Sequence, residues 1–495
     1  MNCESTLFML SQSKSKKTEV VISKGTTPKD TLLKGIEQLG GISEFINKDD
    51  QVFIKFNLNL PGGFPINTNF DILTTLIISC KEAGASRINL GCFPTRGIPI
   101  KIISDLFNLK EYFKSLGGEL VFLDNSDIYE NKDINHDQLK KIKYKSLTKV
   151  KINNNEYFVP NIITDSDKFI SVNQVNVNPL FMINLSLLNL YSIIPPRYGV
   201  IGKKEKENIL HDQFKKNLVS NILDVYAIKE PDLVINDLFY ILDGAGPCLY
   251  KDSEIKTTNL MVIGDNTIAV DKITMNVLNL EMNSNELMLQ ANIRNLAPLK
   301  ISNIKILGEK IEDVSTHIEL CVSKLEDIKL MNFNVCSGKI CSGCFKEAYH
   351  LLNFMKTYMI KDLKYNINNS ILIGESPPEP KKANNYLLFG DCAINNTKDY
   401  NFRKIIIESK KDLIAGAKNK ILKESKSKKK TKIKEKKNKN ILELPGCPPN
   451  IFDCLELIFK YFGKKNLPNL NLFMNMNRHW IYGDLNNKLK IWEAL

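Results

Sequence analysis

The spacing of apolar and polar residues changes repeatedly along this chain, and each change marks an element. Val52–Phe56 is a β-branched and aromatic run with the composition of a buried strand. Asn57–Thr68 interrupts it with Pro61-Gly62-Gly63 and Pro65, residues that turn the backbone. From Phe70 to Ala83 apolar residues recur at helical spacing, with Thr68 or Asn69 as N-cap and Gly84 as the stop. Arg87–Leu90 reads as a second strand, Ser104–Leu116 as a second helix ended by Gly117-Gly118, and Leu120–Leu123 as a third strand. A strand–helix–strand–helix–strand succession predicts a parallel sheet.

The pattern continues with a hairpin over Ser146–Pro160, turning at Asn153-Asn154-Asn155. Strands follow at Asp167–Val172, Leu233–Ile235 and Leu260–Ile263, then a helix over Asn266–Leu280. Near the C-terminus, Asn332–Val335, Tyr386–Phe389 and Ile441–Leu444 are short apolar runs, each followed by a cysteine. The expected fold is α/β: a mostly parallel sheet flanked by helices over 1–328, and a smaller, cysteine-rich α/β domain over 329–495.

Net charge is +13, which suggests nucleic acid until its distribution is considered. Lys423–Asn440 holds ten lysines and two glutamates, so most of the excess sits in one stretch with almost no apolar residues. Such a run cannot bury enough to order itself, and it reads as a solvated insertion rather than a nucleic-acid surface. Phe181–Ile194 is the greasiest stretch, but Asn184, Ser186, Asn189 and Ser192 break it, and it is too short to span a bilayer. Leu7–Leu10 precedes its lysines, the reverse of signal-peptide order. Eleven cysteines without a secretory signal fit a reducing cytoplasm, where thiols serve metals.

Ligands of open α/β sheets lie beyond the carboxyl ends of strands, so polar residues there are candidates. Lys55 and Asn57 end the first strand, and Thr95-Arg96-Gly97 follows the second. Arg96 suits a carboxylate or phosphate. Asp243 stands in Asp243-Gly244-Ala245-Gly246-Pro247, where it could bind a metal or act as a base, although the loop reads first as an ordinary Asp-Gly turn. Asp271 lies on the first turns of an apolar helix, and His211 reads as a structural histidine. Walker, G-x-G-x-x-G, H-E-x-x-H and G-x-S-x-G signatures are missing from the sequence.

Cys341 and Cys344 form a C-x-x-C pair, Cys392 follows Gly390-Asp391, and Cys447 stands in Pro445-Gly446-Cys447-Pro448-Pro449. The bland alternatives are buried thiols, a redox pair or half of a zinc site. Nearby glycines let the backbone approach a bulky inorganic group, so three loops could converge on one metal centre.

Two resemblances sharpen these readings. From about Lys55 to Leu280 the chain resembles the domain of unknown function 362 family. The linked pieces are Lys55-Phe56-Asn57-Leu58, Glu82-Ala83-Gly84-Ala85, Asn184–Leu190 through His211, Asp237 to Pro247, and Gly264–Asp271. Phe56 departs from the family's usual proline. C-x-x-C, then G-x-C, then P-G-C-P-P resembles the proximal 4Fe-4S site of nickel–iron hydrogenase small subunits. That resemblance implies Cys341, Cys344, Cys392 and Cys447 as cluster ligands, with Cys336 as a substitute. Glu347 sits one residue later than the acid of that motif. The implied protein is an iron–sulfur redox component that serves a partner protein or a small anionic ligand. The alternative is a scaffold with structural zinc.

Overall fold

A computed structural model describes residues 18–58, 64–93, 100–123, 147–152, 155–194, 213–296, 303–365, 367–403 and 440–462. Arg96, His211 and the lysine run up to residue 439 fall outside them. The described residues form two compact units. One holds those up to 194 and Lys216–Cys321, and the other holds residues 213–215 and those within Val322–Asn469. Residues 322–328 therefore group with the second unit, where the turn Leu325–Ile328 is tied in: Lys356 Nζ donates to Ile328 O at 2.6 Å. Among the described residues no helix is long and apolar enough to cross a membrane.

The strands of the first unit are β1 (Thr18–Lys24), β2 (Gln51–Lys55), β3 (Arg87–Gly91), β4 (Glu119–Leu120), β5 (Leu147–Ile152), β6 (Asn155–Pro160), β7 (Lys168–Asn178), β8 (Met182–Ile183), β9 (Leu233–Gly244), β10 (Ser253–Thr257), β11 (Leu260–Gly264) and β12 (Ile304–Gly308). The large sheet runs β12-β1-β11-β9-β7-β2-β3-β4, with β10 beside β9 and β8 beside β7. Pairs β2/β3, β2/β7, β3/β4, β7/β9 and β1/β12 are parallel, whereas β11 runs antiparallel to β1 and β9. β5 and β6 form the expected hairpin.

Helices flank this sheet, and side-chain caps set the starts of the first two. Thr27 accepts from Asp30 N ahead of α1 (Pro28–Gln38), whose proline occupies the first turn. Asn69 Oδ1 accepts from Asp71 N at 2.9 Å ahead of α2 (Phe70–Glu82). The single helix expected over Ser104–Leu116 is two, α3 (Ile100–Phe107) and α4 (Leu109–Leu116). Asn108 separates them at φ 50°, a left-handed conformation that asparagine tolerates better than most residues. Two further helices bear on the site, α5 (Ser186–Leu190) and α6 (Thr267–Val277).

β7 and β9 are buried along nearly their whole length, as β-branched strands covered on both faces should be. Both are much longer than the runs read from sequence, because polar residues continue them. Ser171, Asn173, Gln174, Asn176, Asn236 and Asp237 are all buried within them. Burying polar groups is unfavourable without partners, so these residues mark where the unit's chemistry is concentrated.

In the second unit, β13 (Phe333–Ser337), β14 (Asn369–Ile373), β15 (Asn385–Phe389) and β16 (Ile441–Leu444) form an all-parallel sheet in that order. β14 is wholly buried. Three helices, α7 (Ser342–Tyr358), α8 (Gly390–Asn396) and α9 (Ile451–Tyr461), follow β13, β15 and β16 respectively.

Candidate functional site

In the first unit the chain leaves β2 for β3 and β4 on one side, then for β7 and β9 on the other. The carboxyl ends of β2 and β7 therefore flank a switch point, where ligands of open α/β sheets bind. Lys55 is the last residue of β2 and lies level with Gly91 and Ser171. It is fully buried. Its ammonium donates to Asn57 Oδ1 at 3.1 Å and to Asn189 Oδ1. Asn189 is itself fixed, donating to Ser171 Oγ at 3.0 Å and Val172 O at 3.1 Å. Burial pushes Lys55 down to about 7, opposed by the charge of Cys92. An amine near neutrality can give or take a proton, or meet an anion, at physiological pH.

Asp271 is linked to this group through α5. Its Oδ1 accepts from Ser186 N at 2.8 Å and Asn236 Nδ2 at 2.9 Å, and its Oδ2 accepts from Leu187 N at 2.9 Å. The carboxylate thus caps the short helix that carries Asn189. Burial pushes Asp271 up to about 7 against the opposing hydrogen bonds from Leu187, Asn236 and Ser186. Asp243 works elsewhere, at the end of β9. Its Oδ1 accepts from Glu319 N at 2.5 Å and Gly244 N at 2.9 Å, which ties a later segment to the sheet. Of the five residues singled out in this unit, Lys55 and Asn57 touch, Asp271 reaches them through α5, and Asp243 serves a separate contact. Arg96 lies outside the described residues.

Gln174 and Asp237 were not singled out from sequence. They are level with each other on β7 and β9, and both are fully buried. Gln174 Nε2 donates to Tyr240 O at 2.9 Å, and Asp237 Oδ1 accepts from Phe239 N at 2.9 Å. Gln174 Oε1 and Asp237 Oδ2 have no hydrogen-bond partner among the described residues. Burial pushes Asp237 up to about 7. The available signal was a polar pair, Asn236-Asp237, inside an otherwise apolar strand.

In the second unit the four cysteines stand where three strands give way to helices. Cys341 is the N-cap of α7, and its Sγ accepts from Cys344 N at 3.4 Å. Gly390, at φ +89°, opens α8 one turn-position before Asp391-Cys392. A β-carbon on Gly390 would lie 3.6 Å from Cys344 Sγ and 3.6 Å from Gly446 O. The loops after β13, β15 and β16 therefore meet at Gly390. Asp391 joins two of them directly: its N–H donates to Gly446 O at 3.1 Å, and its Oδ1 accepts from Gly446 N at 2.8 Å.

The four thiols sense one another. Cys344 is pushed up by its hydrogen bond with Cys341, then by burial and by the charges of Cys341, Cys447 and Cys392. Cys392 is pushed up to about 11 by burial, with Cys447 and Cys341 next. Cys447 is pushed up by burial, then by Cys341 and Asp391. Among the described residues, no three His, Cys, Asp or Glu side chains gather closely enough to hold a single metal ion. The two observations are compatible, because charges act over longer distances than metal–ligand bonds.

Cys336 is not with these four. It belongs to a separate apolar cluster with Leu372, Tyr386 and Phe402, and Asn334 Nδ2 donates to its sulfur at 3.2 Å. Cys454 is buried in α9, and burial pushes it up to about 12. None of the described cysteines forms a disulfide.

No curated protein matches the chain. A family match covers β2 to α6 and ends well before the cysteine loops, so it bears on the Lys55 group alone. Residues 52–276 match the family described as Domain of unknown function (DUF362).

Proposed function

We propose that the second unit binds one 4Fe-4S cluster through Cys341, Cys344, Cys392 and Cys447. The protein then exchanges electrons with a partner protein or with a small anionic ligand. The observation that carries this reading is the meeting of three cysteine loops at Gly390, against Cys344 Sγ. An all-thiol donor set suits iron–sulfur chemistry. In a cubane each thiolate binds its own iron, so the crowding that a single ion demands is not required. Gly390 and Gly446 let the backbone run close to the thiols, and the bound cluster would supply one-electron chemistry. The test is metal analysis of anaerobically purified protein, with electron paramagnetic resonance after dithionite reduction. A reduced-cluster signal with iron and sulfide supports the reading. Zinc without sulfide, or no metal, overturns it.

In the first unit, the same reading gives the anionic ligand a place beyond Lys55 and Asn57. What supports it is the switch point and a buried amine poised near neutrality. Inorganic phosphate should raise the unfolding temperature of the wild type but not of Lys55→Met. An equal rise in both would remove Lys55 from ligand binding.

A further inference from the structure

Cys392 and Cys447 present a problem of positioning. Cys447 is exposed and Cys392 only half-buried, so packing alone does not hold either thiol. Cys392 lies in the first turn of α8 and Cys447 in the loop after β16, more than fifty residues apart in sequence. A helix start and a separate loop hold a fixed thiol separation only if something spans them.

Asp391 spans them. Its backbone N–H and one carboxylate oxygen take both hydrogen-bonding groups of Gly446, at 3.1 and 2.8 Å, in a reciprocal pairing. Cys392 and Cys447 are the residues immediately after each partner. Gly446 sits at φ +133°, and a β-carbon there would lie 2.7 Å from Pro449 Cα and 3.0 Å from Pro448 O. No other residue type fits this loop without moving the prolines, so the pairing requires glycine. A second tie lies further along: Arg403 Nη2 donates to Ile394 O at 3.2 Å, on α8, and to Glu443 Oε1 at 3.1 Å, on β16. That contact joins the elements but lies away from the thiols. The charge of Asp391 is felt by both Cys392 and Cys447.

We infer that Asp391 is a positioning residue for the thiol site, locking the Cys447 loop to the start of α8 through Gly446. The inference rests on the proposed thiol site, but it concerns geometry that exists without any cluster. An uncharged acceptor should therefore substitute. Asparagine keeps the oxygen and the backbone N–H, whereas alanine keeps only the N–H.

The experiment measures thiol spacing in metal-free full-length protein. Dibromobimane bridges two thiols only when they lie near each other, and peptide mapping reports the Cys392–Cys447 product. Wild type and Asp391→Asn should bridge at similar rates, and Asp391→Ala should bridge at least several-fold more slowly. Gly446→Ala breaks the same pairing from the other side and should match Asp391→Ala. Reconstitution with iron and sulfide then follows on the same four proteins. Where wild type binds iron, Asp391→Asn should retain it with a raised reduction potential, because a nearby negative charge has been removed. Unchanged bridging in both Asp391→Ala and Gly446→Ala would overturn the inference, even if wild type holds a cluster. The expected bridging pattern in a protein that takes up no iron would support the inference and overturn the cluster.

Discussion

Lys55, Asn189, Asn236 and Asp271 in the first unit satisfy one another across β2, β7, β9 and two helices. In the second unit, four thiols gather at strand-to-helix junctions with one another as their electrostatic neighbours. The first arrangement is closed: its hydrogen bonds hold the fold together, and most of its polar atoms have protein partners. The second is open: sulfur makes weak hydrogen bonds, and little in the fold gains from collecting thiols in one place. The contrast teaches that burial and polarity alone do not identify a functional site. A network that uses up its own donors and acceptors is first of all structural. A gathering of poorly hydrogen-bonding groups needs another reason.

The sharpest way to break this comparison is at Asp271. Asp271→Ala would leave two backbone N–H groups and one N–H of the Asn236 amide without their acceptor. The expected loss is about 3 kcal/mol of stability, read as a lower denaturation midpoint by circular dichroism. A loss below about 1 kcal/mol would mean that the network is not holding α5.

A smaller effect follows from pH. Burial raises Asp237 and Asp271 from 3.8 to about 7, so the folded chain keeps protons that the unfolded chain releases across that window. Their contribution to stability is fully present below about pH 4 and is lost as pH rises through 7. Lys55 is depressed from 10.5 to about 7, so above 7 the unfolded chain holds the extra proton and stability recovers with pH. The opposed slopes, each group contributing at most about 1.4 kcal/mol per pH unit, predict a stability minimum near pH 7. Denaturation across pH should show that minimum, and Lys55→Met should flatten the alkaline limb. A monotonic profile would contradict it.

The smallest effect is expected at Cys336. Cys336→Ala should cost about 1 kcal/mol through its apolar cluster and leave metal content unchanged. A fall in iron would return Cys336 to the ligand set.

Much of this was legible in sequence. β2, α2 and β3 lie within a residue or two of the expected runs, because β-branched strands and capped amphipathic helices are local signals. The expected strand at Ile441–Leu444 has its observed bounds. The break at Asn108 was missed because it depends on one left-handed residue inside a helical pattern. The long extensions of β7 and β9 lie outside the expected runs because Asn173, Gln174, Asn236 and Asp237 lack the β-branched and aromatic character that marks a strand locally. Their burial depends on partners distant in sequence, such as Asp271 and Ser186 for Asn236, which no local pattern encodes. Asp391 was quoted from sequence only as a neighbour of Cys392; its pairing with Gly446 is a contact of the folded chain.

The central claim is tested most directly by iron and acid-labile sulfide per chain in anaerobically prepared wild type and single-cysteine variants. About four of each are expected in the wild type. Serine at Cys341, Cys344, Cys392 or Cys447 should lower both, and serine at Cys336 or Cys454 should change neither. Zinc without sulfide, or full iron after both Cys392 and Cys447 are replaced, would contradict the account.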